Sequence, residues 1–151
     1  MSYTTESGRT QILADGADAA EQLGTALAAL GDVYDQLDDH TADQMENVLF
    51  RPLQGALGVL RRTLSEFADR SGLAAPPVAS PSVSLPAEPR LVLERVADAA
   101  QAADDTIAEL QDSLLPVEVG DEALRAGLSR ARTLIGSVPG AADQLVRTFG
   151  R

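Results

Sequence analysis

The sequence has no cysteine, no lysine, no tryptophan and a single histidine among its 151 residues. The lack of cysteine excludes disulfide bonds, thiolate nucleophiles and zinc sites built on thiolates. A Ser-His-Asp arrangement needs a histidine beside its nucleophile, and a di-iron bundle site needs two Glu-x-x-His motifs. His40 is the only imidazole and lies in an acidic stretch between two predicted helices. We therefore predict a non-enzymatic protein with no catalytic residue, no cofactor and no metal site.

Long apolar runs are missing as well. No charge-free apolar stretch approaches the roughly 20 residues that a membrane helix needs, and the first residues, 1–6, lack the basic and apolar regions of a signal peptide. These features predict a cytoplasmic protein without stable membrane insertion. A chain of this length buries enough surface to fold without a metal or disulfide, so residues 1–151 are expected to form one domain.

Acidic residues outnumber basic ones by 23 to 12, which gives a net charge of −11. Such a chain repels nucleic-acid phosphates, so we predict no nucleic-acid partner. Five arginines are candidates for a binding face toward a nucleic acid or an acidic partner, but the favoured interpretation is that they neutralise acidic helices beside them. They are Arg61, Arg62, Arg125, Arg130 and Arg132.

Apolar residues recur at helical spacing in the first half of the chain. The first stripe consists of Ala20, Leu23, Leu27, Leu30, Tyr34 and Leu37, and the second of Met45, Leu49, Leu53, Ala56, Leu60, Leu64 and Phe67. Thr41 with Gln44 resembles a capping box at the start of the second helix, and Gly72 suits its C-terminal cap. Pro52 predicts a kink near 48–51 in one continuous, bent helix. We expect Gly55 and Gly58 to allow close helix packing.

The second half of the chain begins after a proline-rich segment, residues 73–89, which predicts an extended linker. The third helix carries a heptad-spaced seam of Val96, Ala100, Ala103, Ile107, Leu110 and Leu114, and Pro116 is expected to end it. A loop at 117–120 follows. Asp121 then suits the N-cap of a fourth helix, and a short terminal helix follows a break at 136–140.

These elements predict an all-α protein, an antiparallel four-helix bundle of two helical hairpins, residues 1–72 and 90–151, joined by a proline-rich crossover. Charge alternates along the chain: residues 1–40 hold eight acids and one arginine, whereas residues 41–72 hold four of each. Residues 90–115 are acidic again, and residues 116–151 are nearly neutral. We expect the two acidic helices to lie diagonally across the bundle, where their repulsion is smallest.

The leading functional hypothesis is an interaction or scaffold protein that binds a protein partner or a second copy through an amphipathic face. The candidate faces are the seam 96–114 and the stripe 45–67. One alternative is association with a lipid or hydrophobic granule surface, with residues 141–151 as the anchor. Another is a small apolar ligand held between the helices. The carboxylates in the turn of Asp38, Asp39, His40 and Asp43 are a candidate cation site. The favoured interpretation is a turn exposed to solvent without a cation.

Overall fold

A computed structural model describes residues 2–78 and 88–149, and helices account for all the regular structure in these two ranges. The all-α class is therefore confirmed. The elements are α1 (Ser2–Val33), a 3₁₀ turn (Tyr34–Gln36), α2 (Asp39–Met45), a π-helical turn (Glu46–Phe50), α3 (Arg51–Ser71), α4 (Pro89–Asp112), α5 (Leu115–Glu118), α6 (Glu122–Ile135) and α7 (Val138–Phe149).

Five helices, α1, α3, α4, α6 and α7, pack around one apolar core. The helix α1 runs antiparallel to α4: Gly8 lies beside Leu115 near one end, and Thr106 Oγ1 donates to Gln22 Oε1 at 3.0 Å further along. The helices α3 and α6 are antiparallel in the same way, with Gly55 facing Leu134 and Arg70 bonded to Asp121. Since α1 also packs on α3 and α4 on α6, the pairs α1/α4 and α3/α6 form opposite sides of the bundle.

The expectation that the two acidic helices lie diagonally is wrong, because α1 and α4 are direct neighbours. Both present seams of alternating three- and four-residue steps with small residues near the middle, which lets the two backbones approach closely. Burial stabilises by about 25 cal/mol per Å² of apolar surface, whereas exposed like charges cost only about 0.2–0.5 kcal/mol per pair. The apolar match therefore outweighs the repulsion. The α1 seam is Ile12, Gly16, Ala19, Leu23, Ala26, Leu30 and Val33, and the α4 seam is Leu93, Val96, Ala100, Ala103, Ile107 and Leu110.

The first helix lies earlier in the chain than its predicted stripe. It begins at Ser2, ends at Val33, and is followed by a 3₁₀ turn in which Tyr34 is exposed. Leu37 follows that turn and is only half-buried. The prediction missed residues 2–17 because Gly8 and Gly16 interrupt their apolar pattern. Gly16 is in fact a buried seam position against α3.

The second long helix is continuous from Asp39 to Ser71 through α2, the π-helical turn and α3, as predicted. The disturbance at Pro52 takes the form of the π-helical turn, in which the Arg51 amide donates to the Glu46 carbonyl five residues back. All seven residues of the predicted stripe are buried. The predicted Thr41 cap is wrong: Asp38 is the N-cap, accepting a 2.7 Å hydrogen bond from the Thr41 amide, because the helix begins three residues earlier.

Close helix packing occurs at glycines other than those expected. A Cβ atom on Gly127 would lie 2.8 Å from the Cβ of Thr63, and one on Gly16 would lie 2.5 Å from a methyl group of Leu64. Gly55 has only an ordinary contact with Leu134, and the space beside Gly58 is open. The packing role predicted for Gly58 is therefore wrong, since this glycine faces outward on α3.

The predicted crossover is partly described. Residues 79–87 lie outside the described ranges, but residues 73–78 follow the groove between α1 and α3, where Pro76 and Val78 adjoin Leu13 and Leu64. The terminal helix α7 buries Val138, Ala142 and Leu145 against α4 and the π-helical turn. Gly136 and Ser137 separate α7 from α6. Beyond them, α7 packs along α4 and the π-helical turn before α3, and so extends the layer that α6 forms.

Candidate functional site

The acidic turn at the start of α2 is used for helix capping. Asp38 accepts from the Thr41 amide, and this hydrogen bond is the main reason that the pKa of Asp38 is lowered. Asp39, His40 and Asp43 are exposed to solvent. Within residues 2–78 and 88–149, no three histidine or carboxylate side chains are grouped so that they could hold a metal ion. The structural role of this turn is therefore to begin α2.

The arginines were expected to be paired within the bundle, and this is wrong for four of the five. Arg132 bonds Asp104 through Nε at 2.9 Å and Gln111 through Nη1 at 2.9 Å. Arg61, Arg62, Arg125 and Arg130 are exposed and form no ion pair within the described part of the chain. A second ion pair between helices was not predicted: Arg70 on α3 binds Asp121 at the start of α6.

The two amphipathic faces proposed for partner binding lie almost entirely in the core. Every residue of the stripe 45–67 is buried, and so is the seam from Val96 to Leu110. Leu114 is the exception, because α4 ends at Asp112 and the leucine side chain is 57% exposed. The faces visible in the sequence are therefore not available to a partner, and the exposed apolar groups must be sought elsewhere.

Leu114 has a backbone conformation that leucine rarely adopts. Its φ is +67° and its ψ is 0°, in the left-handed region. This conformation costs an L-residue with a Cβ roughly 1–2 kcal/mol, and glycine normally occupies it at helix ends. Among the non-glycine residues that the structure describes, no other has a positive φ. A strained backbone position thus carries a large apolar side chain that is mostly in water.

The chain after Leu114 holds a second exposed apolar residue close by. Val117, on the one-turn helix α5, is 52% exposed. An open cleft of about 500 Å³ separates α5 from α6, with Val117 and the buried Pro116 on one wall and Leu128 on the other. Its polar rim consists of Gln111, Glu122, Arg125 and Ser129. We call Leu114, Val117 and this cleft the α5 corner.

Local hydrogen bonds hold the α5 corner in place. Ser113 Oγ donates to the Leu110 carbonyl at 2.6 Å and accepts from the Leu115 amide at 3.3 Å, so this serine bridges the chain reversal. Pro116 then fixes φ in the first turn of α5, where its missing amide proton is not needed. The apolar side chains are therefore presented on a pre-formed backbone, which lowers the entropy cost of binding.

Two other apolar regions lie inside the bundle. The gap among Val33, Met45, Leu93 and Leu145 has no room for a water molecule. In α7, the helix that the alternative of a lipid-surface protein would use as its anchor, Val138, Ala142 and Leu145 lie in the core. In the described ranges, no helix is both long and apolar enough to cross a bilayer.

Comparison with known proteins does not assign a family. No protein-family model matches the chain, and no curated protein or solved structure matches it either.

The α5 corner was not predicted, because Leu114 fits the third-helix seam by spacing alone. The sequence does contain a signal for it. Ser113 and Pro116 bracket the leucine, and a proline disfavours helical conformation at the residue before it, so an earlier end of α4 was possible. The left-handed conformation itself has no sequence signature here, because glycine or asparagine would mark it and leucine does not.

Proposed function

We propose that the protein is a non-enzymatic helical interaction protein that binds a protein partner at the α5 corner. One observation carries the proposal: Leu114 is held in the left-handed conformation with its side chain 57% exposed. A residue that breaks both a backbone and a burial preference is typical of a functional position. Glycine or asparagine at this position would remove the cost if the corner had no other role.

The chemistry of the corner suggests the kind of partner. Leu114 and Val117 offer two exposed apolar side chains, and the cleft that Val117 lines accepts one large apolar side chain of the partner. Arg125 on the rim has no ion pair in the described part of the chain, so a carboxylate next to that apolar side chain would complement it. A few buried anchors of this kind supply most of the affinity in protein interfaces, while surrounding contacts exclude water.

A site-specific crosslinking experiment tests this proposal. A photo-crosslinking amino acid is placed at position 117 and, as a matched control, at position 91. Leu91 is 54% exposed at the start of α4, about 30 Å along the helices from the corner. We expect a specific protein adduct from position 117 in extracts of the cells that produce the protein, and none from position 91.

Substitutions in the corner then test whether the adduct depends on the proposed contacts. Leu114→Gly and Val117→Ser should each weaken binding of the adducted protein by tenfold or more, whereas Leu91→Ser should leave the affinity unchanged. Equal adducts from both positions, or an affinity insensitive to the corner substitutions, would contradict the proposal. An adduct only with lipid or a small molecule would support the alternatives of a surface-active protein or an apolar ligand binder. The proposal retains the cytoplasmic location expected from the sequence, which imaging of the tagged protein tests.

A further inference from the structure

The fold sorts the charges of the chain onto two opposite sides. The α1 and α4 helices together carry eleven acidic residues and three arginines, a net charge of −8. The α3 and α6 helices carry seven arginines and three acidic residues, a net charge of +4. We call these the acidic side and the arginine side. The two sides arise because the acidic helices α1 and α4 are neighbours. The alternating charge of the sequence did not indicate this arrangement.

Most of these charges are not neutralised within the molecule. The ion pairs of the described residues are Arg70 with Asp121, Arg90 with Glu94, and Arg132 with Asp104. None of these involves α1, so its acidic residues form no ion pair there. Among the described residues, five exposed arginines of α3 and α6 are left without one: Arg51, Arg61, Arg62, Arg125 and Arg130. Of these, Arg61 lines the groove between α1 and α3, and Arg125 lines the cleft beside α5.

The acidic side forms a continuous surface between its two helices. Gln22 on α1 is bonded to Thr106 on α4, so positions one turn further along this antiparallel pair are again level with each other. Asp18 and Glu109 occupy such positions, and both are exposed. Two like charges therefore face solvent at the same level, and a cation from outside the molecule would relieve their repulsion.

The arginine side is closely packed at its centre. Thr63 on α3 meets Gly127 on α6, which brings these two helices together. Arg62 is next to this contact on α3, and Arg130 lies one turn beyond it on α6. Both guanidinium groups are exposed, and each can bind a carboxylate with two parallel hydrogen bonds.

We propose that the arginine side binds the acidic side of a second copy of this chain. The two surfaces lie on opposite sides of the bundle, so the contact is head-to-tail and leaves one free surface of each kind at its ends. The helices that form the two sides carry net charges of −8 and +4, and the same chain supplies both surfaces at equal concentration. Arg125 also lies on the rim of the α5 corner, but Leu114, Val117, Arg62 and Arg130 each belong to only one of the two proposals, so substitutions at these positions distinguish them.

Because the chain carries a net charge of −11, its self-association should depend on salt concentration in a distinctive way. The Debye length is about 30 Å at 0.01 M, about 10 Å at 0.1 M and about 3 Å at 1 M ionic strength. Repulsion between whole molecules acts over the longer distances and is screened first, whereas carboxylate–guanidinium contacts are screened last. Self-association should therefore increase from 0.01 M to about 0.1 M salt and decrease again toward about 1 M.

Sedimentation velocity of the full chain at several protein concentrations tests the proposal. We expect the mass at about 0.1 M salt to increase with concentration above the monomer value of 15.8 kDa. Arg62→Glu with Arg130→Glu removes the arginine side, and Asp18→Lys with Glu109→Lys removes the acidic side. Each double variant should remain monomeric, with an unchanged circular dichroism spectrum because all four positions are exposed.

Mixing the two double variants separates a head-to-tail contact from other kinds of association. Each variant retains the surface that the other lacks, so an equimolar mixture should form a dimer that cannot grow. The control Asp39→Lys with Asp43→Lys makes the same change in net charge as Asp18→Lys with Glu109→Lys, but away from both surfaces, and should still associate. A monomer at every salt concentration, association unaffected by the double variants, no dimer in the mixture, or equal loss in the control would each overturn the proposal.

Discussion

Arg70 and Asp121 fasten the end of α3 to the start of α6 through two hydrogen bonds, Nε to Oδ2 at 2.8 Å and Nη2 to Oδ1 at 2.9 Å. Asp121 is at the same time the N-cap of α6, because its Oδ1 accepts from the Leu124 amide at 2.9 Å. The bond from Arg70 is the largest cause of the lowered pKa of Asp121, and the Leu124 amide lowers this pKa further. One carboxylate therefore serves two structural purposes.

The first prediction separates these purposes by pH. The folded-state pKa of Asp121 lies below the unfolded value of about 3.9, so the stabilisation is fully present above about pH 4 and is lost as the pH falls through the folded-state pKa. Asp121→Asn retains a capping side chain but no charge, and should lower the free energy of unfolding at pH 7 by about 0.5–1 kcal/mol. Asp121→Ala should cost about 1 kcal/mol more through loss of the cap.

Urea unfolding of the wild type and Asp121→Asn between pH 7 and pH 2.5 measures this effect. The difference between the two should shrink as the pH falls below 4. A difference that stays constant over this range would show that the charge of Asp121 does not stabilise the fold.

The second prediction compares two glycines. Gly127→Ala places a methyl group against Thr63 and should destabilise the protein by about 1–3 kcal/mol, since α3 and α6 must move apart. Gly58→Ala, on the open surface of α3, should stabilise it by about 0.5–1 kcal/mol, because alanine restricts the unfolded chain and favours helix. Thermal or urea unfolding measures both variants, and equal effects would contradict the close contact.

The third prediction concerns the strain at Leu114. Leu114→Gly should raise the free energy of unfolding by about 0.5–1 kcal/mol, because glycine adopts a positive φ without steric cost while only an exposed side chain is lost. Leu114→Ala keeps the Cβ atom and should not stabilise. If the glycine variant is no more stable than the alanine variant, strain at this residue is absent.

The fourth prediction follows from the contact between the two acidic helices. Asp18→Arg should stabilise the fold by about 0.2–0.5 kcal/mol at low salt, because it replaces repulsion from Glu109 by attraction. The gain should disappear at about 1 M salt, where exposed charges are screened. Urea unfolding at the two salt concentrations is the measurement, and a gain that persists at high salt would indicate a cause other than charge.

The local pattern of the sequence predicts most of the helical content. Three- and four-residue spacing places the stripe 45–67 and the seam Val96–Leu110 correctly in the core, because burial of apolar side chains dominates these helices. The Asp121 cap and the αL cap at Gly72 are also confirmed, since they depend on backbone preferences close in sequence. The start of α1 was misplaced because Gly8 and Gly16 interrupt its apolar pattern. The end of α4 was misplaced because Leu114 adopts a left-handed conformation that leucine rarely adopts.

Composition and spacing thus determined the all-α class and the core of the central helices, for which interactions between residues three and four apart suffice. Which helices are neighbours was decided only by the tertiary structure. The charge alternation along the chain favoured a diagonal arrangement, but the small-residue seams of α1 and α4 fit each other, and burial outweighs repulsion between exposed carboxylates. The same packing separates the acidic side from the arginine side, because this separation depends on contacts between residues far apart in sequence.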